Sequence, residues 1–152
     1  MSEAAAKAFE LFRADVGNDE GTGEWFQVTQ EQIDQFADVT HDHQFIHVDA
    51  ECAAQGPFGA TIAHGYLTLS LLPVASYEVI PSPGGGMAIN YGLNKVRFPA
   101  PVPVGSRVRA TFRVVDVEEQ AWGSQVTMAA TVEREGGEKP ACVAELVVRF
   151  LR

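Results

Sequence analysis

The second half of the chain alternates. Val108, Ala110, Phe112 and Val114 interleave with Arg107, Arg109 and Arg113, and a period of two puts the apolar set on one face of a sheet and the charged set in solvent. Runs rich in Val, Phe, Thr and Ala extend this character from Met87 to the end, so strands are expected at about 87–98, 107–119, 123–134 and 141–151, with turns at 99–105, 120–122 and 136–137. The first half follows helical spacing instead. Ala4, Ala5, Ala6, Ala8, Phe9, Leu11 and Phe12 predict an N-terminal helix over 1–13, followed by a loop over 17–23 and a short strand over 25–28. Thr29 with Gln32 forms a capping box ahead of Ile33, Phe36 and Ala37, which predicts a helix from about Gln30 to Asp38 and a loop over 40–47. A short helix is expected over 49–54, broken by Gln55-Gly56-Pro57-Phe58-Gly59.

One segment fits neither period. From Gly65, Tyr66, Leu67, Leu69, Leu71, Leu72, Val74 and Ala75 are apolar nearly all round, which describes a buried central helix, and Pro81, Pro83 and Gly84-Gly85-Gly86 end it in a loop. An antiparallel sheet wrapped around that helix hides it and the apolar side of every strand together, so the expected class is α+β. With 152 residues and a hydrophobic fraction of 46%, one domain over 1–152 is expected, residues 1–24 being an N-terminal helical extension and loop. The stretch from Gly65 to Ala75 is too short to cross a bilayer, and Met1 to Lys7 lacks the regions of a signal peptide. The expectation is a cytoplasmic protein without membrane contact, in which Cys52 and Cys142 are reduced thiols in apolar settings.

Charge changes the picture in its distribution. The net charge of -9 argues against a nucleic-acid partner. No Lys or Arg occurs between Ala14 and Asn94, whereas Lys95, Arg97, Arg107, Arg109 and Arg113 fall together with no acid among them. On a half-buried strand, Arg107, Arg109 and Arg113 are ordinary solvated residues; the belt as a whole also suits a phosphate-bearing ligand.

Candidate chemistry concentrates in one stretch. Asp42 and His47 stand five positions apart, and eighteen residues after His47 comes Gly65 in Thr61-Ile62-Ala63-His64-Gly65. The set supplies a base, an acid and an N–H donor at the start of a helix, where the first amides lack partners and a missing Cβ allows close approach. His41 and His43 are expected as exposed loop residues, and Asp49 as the cap of the short helix. His64 is expected either to touch a ligand or to anchor the start of the central helix. His41-x-His43-x-x-x-His47-x-Asp49 is unlike HExxH, so no metal is expected.

Phe36-Ala37 through Asp42-x-x-x-x-His47-x-Asp49, then Thr61 to Gly65 and Phe98-Pro99-x-Pro101-Val102-x-Val104-Gly105, resembles the MaoC-like dehydratases, the (R)-specific enoyl-CoA hydratases of the hot-dog fold. The resemblance runs from about Trp25 to the C-terminus. It implies a homodimer of hot-dog domains with no cofactor, an acyl-CoA or acyl-carrier-protein thioester as substrate, a catalytic dyad at Asp42 and His47, and an oxyanion contact from the Gly65 amide. Substrate contacts are expected at Gln44 and His64, and near coenzyme A phosphates at Lys95 and Arg97. Where the family commonly has Asn-Pro, this chain has Gln44-Phe45, which resembles a subgroup related to nodulation protein N. A non-catalytic acyl-CoA-binding module and a thioesterase on the same fold are the alternative functions.

Overall fold

In the computed structural model, which describes residues 3–18, 21–80 and 87–151, the alternating half of the chain forms the body of one antiparallel sheet. Its long strands are β3 (Met87–Arg97), β4 (Arg107–Gln120), β5 (Gly123–Arg134) and β6 (Cys142–Leu151), each boundary within one residue of expectation. Two short strands, β1 (Gly21–Thr22) and β2 (Phe26–Gln27), both pair with β4, giving the order β1-β4-β5-β6-β3 with β2 beside β4. β1 lies where a loop was expected. A two-residue strand has no period to read, and it exists only because β4 offers an edge to it.

Register explains the core. Val108, Ala110, Phe112 and Val114 of β4 point to the same side as Val126, Met128, Ala130 and Val132 of β5 and Cys142, Ala144 and Val148 of β6, and all are buried. The opposite side carries Arg107 and Arg109, which pair with Glu135 and Glu133. Two members of the basic run are therefore matched by acids across the strand and committed to their neighbours. α1 (Glu3–Asp15) closes one end of the sheet by seating Phe12 against Val114, Val126, Met128 and Val148, with its ring 4.9 Å from that of Phe150. For Ala4 to Ala8 the side chains lie outside the described residues, as does the expected Pro81 to Gly86 loop.

The central helix comes in two pieces, α5 (Gly65–Ser70) and α6 (Leu72–Val79), with Leu71 between them and Pro73 in the first turn of α6. Proline at that place removes a backbone donor and favours a fresh helix start over an uninterrupted ladder. Leu72 is completely enclosed by the core. The expectation of burial all round is corrected here, since Tyr66 (71%), Val74 (55%) and Tyr77 (74%) are exposed along one stripe. Beyond them the edge strand β3 exposes Met87, Ile89, Tyr91 and Leu93. A single copy of the sheet cannot cover both sides of the helix. The sheet against a central helix is the hot-dog arrangement; no described helix is long and apolar enough to cross a membrane.

Candidate active site

The remaining helices deliver the polar residues to the start of α5. α2 (Gln30–Thr40) begins with the expected capping box: the Thr29 side chain accepts from Gln32 N–H, and the Gln32 side chain accepts from Thr29 N–H at 2.8 Å. It ends at His41, whose φ of 60° is left-handed and turns the chain toward Asp42. α3 (Phe45–Val48) is a single turn carrying His47, in a region expected to be loop throughout. Asp49 then caps α4 (Ala50–Ala54), accepting from Cys52 N–H at 3.0 Å, a bond that holds its carboxyl below the usual range. Cys52 is exposed, in contrast to its expected apolar setting, because α4 is a surface turn; Cys142 is buried, which pushes its thiol up to about 11.

Two segments are stitched together around His47. Ile62 N–H donates to Ile46 O at 2.9 Å, and His47 Nδ1 donates to Ile62 O at 2.7 Å. Because a carbonyl can only accept, that bond fixes the tautomer and leaves Nε2 with its lone pair. Gln30, in the first turn of α2, holds the His47 carbonyl at 2.8 Å and accepts from Thr61 Oγ1 at 2.5 Å. Neither Gln30 nor Thr61 was singled out by the sequence, since nothing in their spacing shows that they meet. The segment 61–64 is fixed on its other side by Ala63 N–H to Val102 O and Val104 N–H to Thr61 O.

His47 is buried, His64 is buried, and Asp42 is exposed. A carboxylate oxygen of Asp42 and one ring nitrogen from each histidine lie within 4.8 Å of one another. Two hydrogen bonds of about 2.8 Å meeting at one water span roughly 4.5 Å, so a carboxylate and an imidazole at this separation can share a water. A shared metal fits less well. The two rings are stacked, centroids 3.7 Å apart and planes 23° from parallel, whereas an ion at about 2.1 Å must lie near the plane of each ring that binds it. Burial is the main cause that draws His47 below the ordinary imidazole range, with His64 acting in the same direction and the bond to Ile62 and the Asp42 charge opposing. His47 is therefore neutral near pH 7 and available as a base.

A cavity of about 360 Å³ borders this group, with His47, Gly65, Thr68, Phe58, Phe98 and Ala141 on its wall. Gly65 opens α5, and the ring of Phe98 lies so close that a Cβ at residue 65 would stand 3.0 Å from it. Of the residues expected to carry the chemistry, His47 and Gly65 share this wall and Asp42 approaches His47 from the loop. The four expected substrate contacts lie elsewhere. His64 sits behind His47 and bonds Asp42 O through Nε2 at 3.0 Å, Gln44 is exposed on the loop, and Lys95 and Arg97 are exposed on β3, ahead of Phe98. Neither cation forms an ion pair among the described residues. His41 and His43 are exposed as expected, the latter 2.8 Å from Asp38.

Known proteins share both sequence and shape with this chain. The family described as MaoC like domain matches residues 12–138. The 3-hydroxyacyl-thioester dehydratase Z of Mycobacterium tuberculosis is 58% identical over 139 residues, covering 91% of this chain and 92% of the relative. Nodulation protein N of Rhizobium leguminosarum bv. viciae is 47% identical over 145 residues, covering 91% and 90%. Among solved structures, an unliganded R-hydratase from Pseudomonas aeruginosa superimposes with a TM-score of 0.74 at 28% identity, covering 90% of this chain and 82% of that one. The Asp42 to Gly65 constellation thus lies within the matched segment, and the chain belongs to the MaoC-like dehydratase family.

Proposed function

We propose that this chain catalyses the reversible addition of water to a trans-2-enoyl thioester, giving the (3R)-3-hydroxyacyl thioester. The observation that carries the reading is the approach of Asp42 to a neutral, tautomer-fixed His47 on the wall of a cavity that also holds Gly65. Its support outside the chain is the dehydratase named among the relatives and the R-hydratase among the solved structures.

In this reading Asp42 and His47 hold one water against Cβ of the substrate. As the water oxygen bonds to Cβ, one of its protons passes to the dyad and the double-bond electrons move toward the thioester oxygen. Gly65 N–H, an amide of the first turn without an intrahelical acceptor, donates to that oxygen while it carries negative charge. The proton held by the dyad then goes to Cα. Water has been added and the dyad is as it began, so no cofactor is required. The low basicity that burial gives His47 suits this return, because a strongly basic group would keep the proton.

The substrate in this reading is an acyl-CoA. Arg107 and Arg109 are occupied by Glu135 and Glu133, which leaves Lys95 and Arg97, on the strand that runs into Phe98, as the cations for its phosphates. Gln44 stands beside Asp42 as an amide contact. The active form is a homodimer in which a second copy covers Tyr66, Val74, Tyr77 and the β3 edge. The test is loss of the conjugated enoyl absorbance of trans-2-butenoyl-CoA with chiral analysis of the product. The (3R) alcohol is expected; release of free thiol instead, or binding without product, would replace the hydratase reading.

A further inference from the structure

His64 touches every part of the site and lines none of its cavity. Its ring is stacked on His47 and packs 5.0 Å from the ring of Phe36. Its Nε2 bonds the main-chain oxygen of Asp42 at 3.0 Å. Its own carbonyl accepts from Thr68 N–H at 3.1 Å, in the first turn of the helix that Gly65 opens. One residue therefore joins the carboxylate loop and the imidazole through its side chain and the start of α5 through its main chain.

The proton positions follow from the partners. A carbonyl only accepts, so Nε2 carries the hydrogen and Nδ1 of the neutral ring holds a lone pair. That Nδ1 is buried and has no hydrogen-bond partner. Asp42 depends on the bond from Nε2: the one other hydrogen bond to Asp42 among the described residues is from Gln44 N–H to Oδ1, at 3.4 Å.

We infer that His64 is a positioning residue for the reaction, which sets the distance and orientation of Asp42 relative to His47 by holding the Asp42 main chain and flanking the His47 ring. The inference rests on Asp42 and His47 being the dyad. Two distinct contributions are separable by substitution. His64→Phe keeps a ring against His47 and loses the donor to Asp42; His64→Gln keeps an amide donor and loses the ring. The groups facing the pair are Asp42, whose Oδ2 is 3.9 Å from His64 Nε2, the Ile62 carbonyl, and apolar Phe36 from α2. His64 also favours the neutral form of His47, so either substitution moves the His47 titration to higher pH.

The experiment measures kcat and KM on trans-2-butenoyl-CoA, thermal melting, and the His47 ring titration by NMR, for wild type, both His64 variants and Asp42→Asn. A displaced reacting group costs on the order of a hundredfold, so His64→Phe is expected to lose about that factor in kcat with KM within about threefold. His64→Gln is expected to recover about tenfold of the loss through its donor, and both variants to shift the His47 titration upward. A rise in KM with kcat unchanged makes His64 a substrate contact and overturns the inference. So do wild-type kcat and an unmoved titration in folded His64→Gln, which decides the matter if His64→Phe does not fold. Full activity of Asp42→Asn defeats the dyad reading instead; its inactivity beside active His64 variants defeats only the positioning role.

Discussion

The two sides of the central helix are finished to different degrees. At the start of α5, a local network fixes His47: Gln30 holds its carbonyl, Ile62 its Nδ1 and His64 its face. Along the stripe of Tyr66, Val74 and Tyr77 and the neighbouring β3 edge, large apolar side chains meet solvent. Hydrogen-bonded geometry must be held to fractions of an ångström, and a local network of neighbours does that without outside help. Apolar cover is less exacting and can come from a second copy. In the proposed reading the chemistry belongs to a single chain and the enclosure of its substrate to a pair.

The most damaging ways to break the polar side are Asp42→Asn and His47→Gln. Each is expected to lower kcat by about 10²–10⁴ with the fold retained, read from turnover and circular dichroism. Next comes Gly65→Ala. The helical backbone admits alanine, but its Cβ meets the Phe98 ring at 3.0 to 3.1 Å, so the donor amide or the ring must shift. A loss on the order of ten- to a hundredfold in kcat is expected, and adding Phe98→Leu should restore part of it.

The apolar side is broken by Tyr77→Glu or Val74→Lys. Charge in the middle of a contact surface costs several kcal/mol of association, so sedimentation equilibrium should move from the mass of two copies to that of one, with a smaller loss of turnover than in the dyad variants. Unchanged mass would place the contact on another face. A gentler change to the polar side is Thr61→Val, which leaves Gln30 Oε1 without its donor. About 1–2 kcal/mol of stability should be lost in urea unfolding, with kcat within about threefold.

The smallest expected effect is on pH. His47 is lowered from 6.5 in the folded chain. As pH falls through 6.5 the unfolded chain takes up a proton that the folded chain refuses, so stability decreases with falling pH until the folded value is reached. His47→Gln should flatten that part of the stability profile, measured by urea midpoints across pH 4 to 8.

Sequence periodicity reached the long strands to within one residue because Val108 to Val114 and their counterparts alternate on a sheet with one buried side. The Thr29 capping box was equally legible, being a local bond between residues three apart. Three features were not. β1 depends on the edge of β4. The exposed stripe on the central helix depends on which sides the sheet reaches, and apolar residues all round do not show that. The meeting of Gln30 with Thr61 joins residues 31 apart through a fold that no local pattern encodes. In the site, the residues of the Asp42 to Gly65 stretch were visible as types at a spacing, whereas the tautomer of His47 and the seat of His64 behind it exist only in three dimensions.

The central claim is that Asp42 and His47 act on one water as a unit. Single-turnover hydration by Asp42→Asn, His47→Gln and the double variant tests it most directly, because groups serving one step give non-additive losses. The account predicts a double variant no slower than the slower single variant within a factor of about three. Losses that multiply would show two residues acting independently and would contradict it.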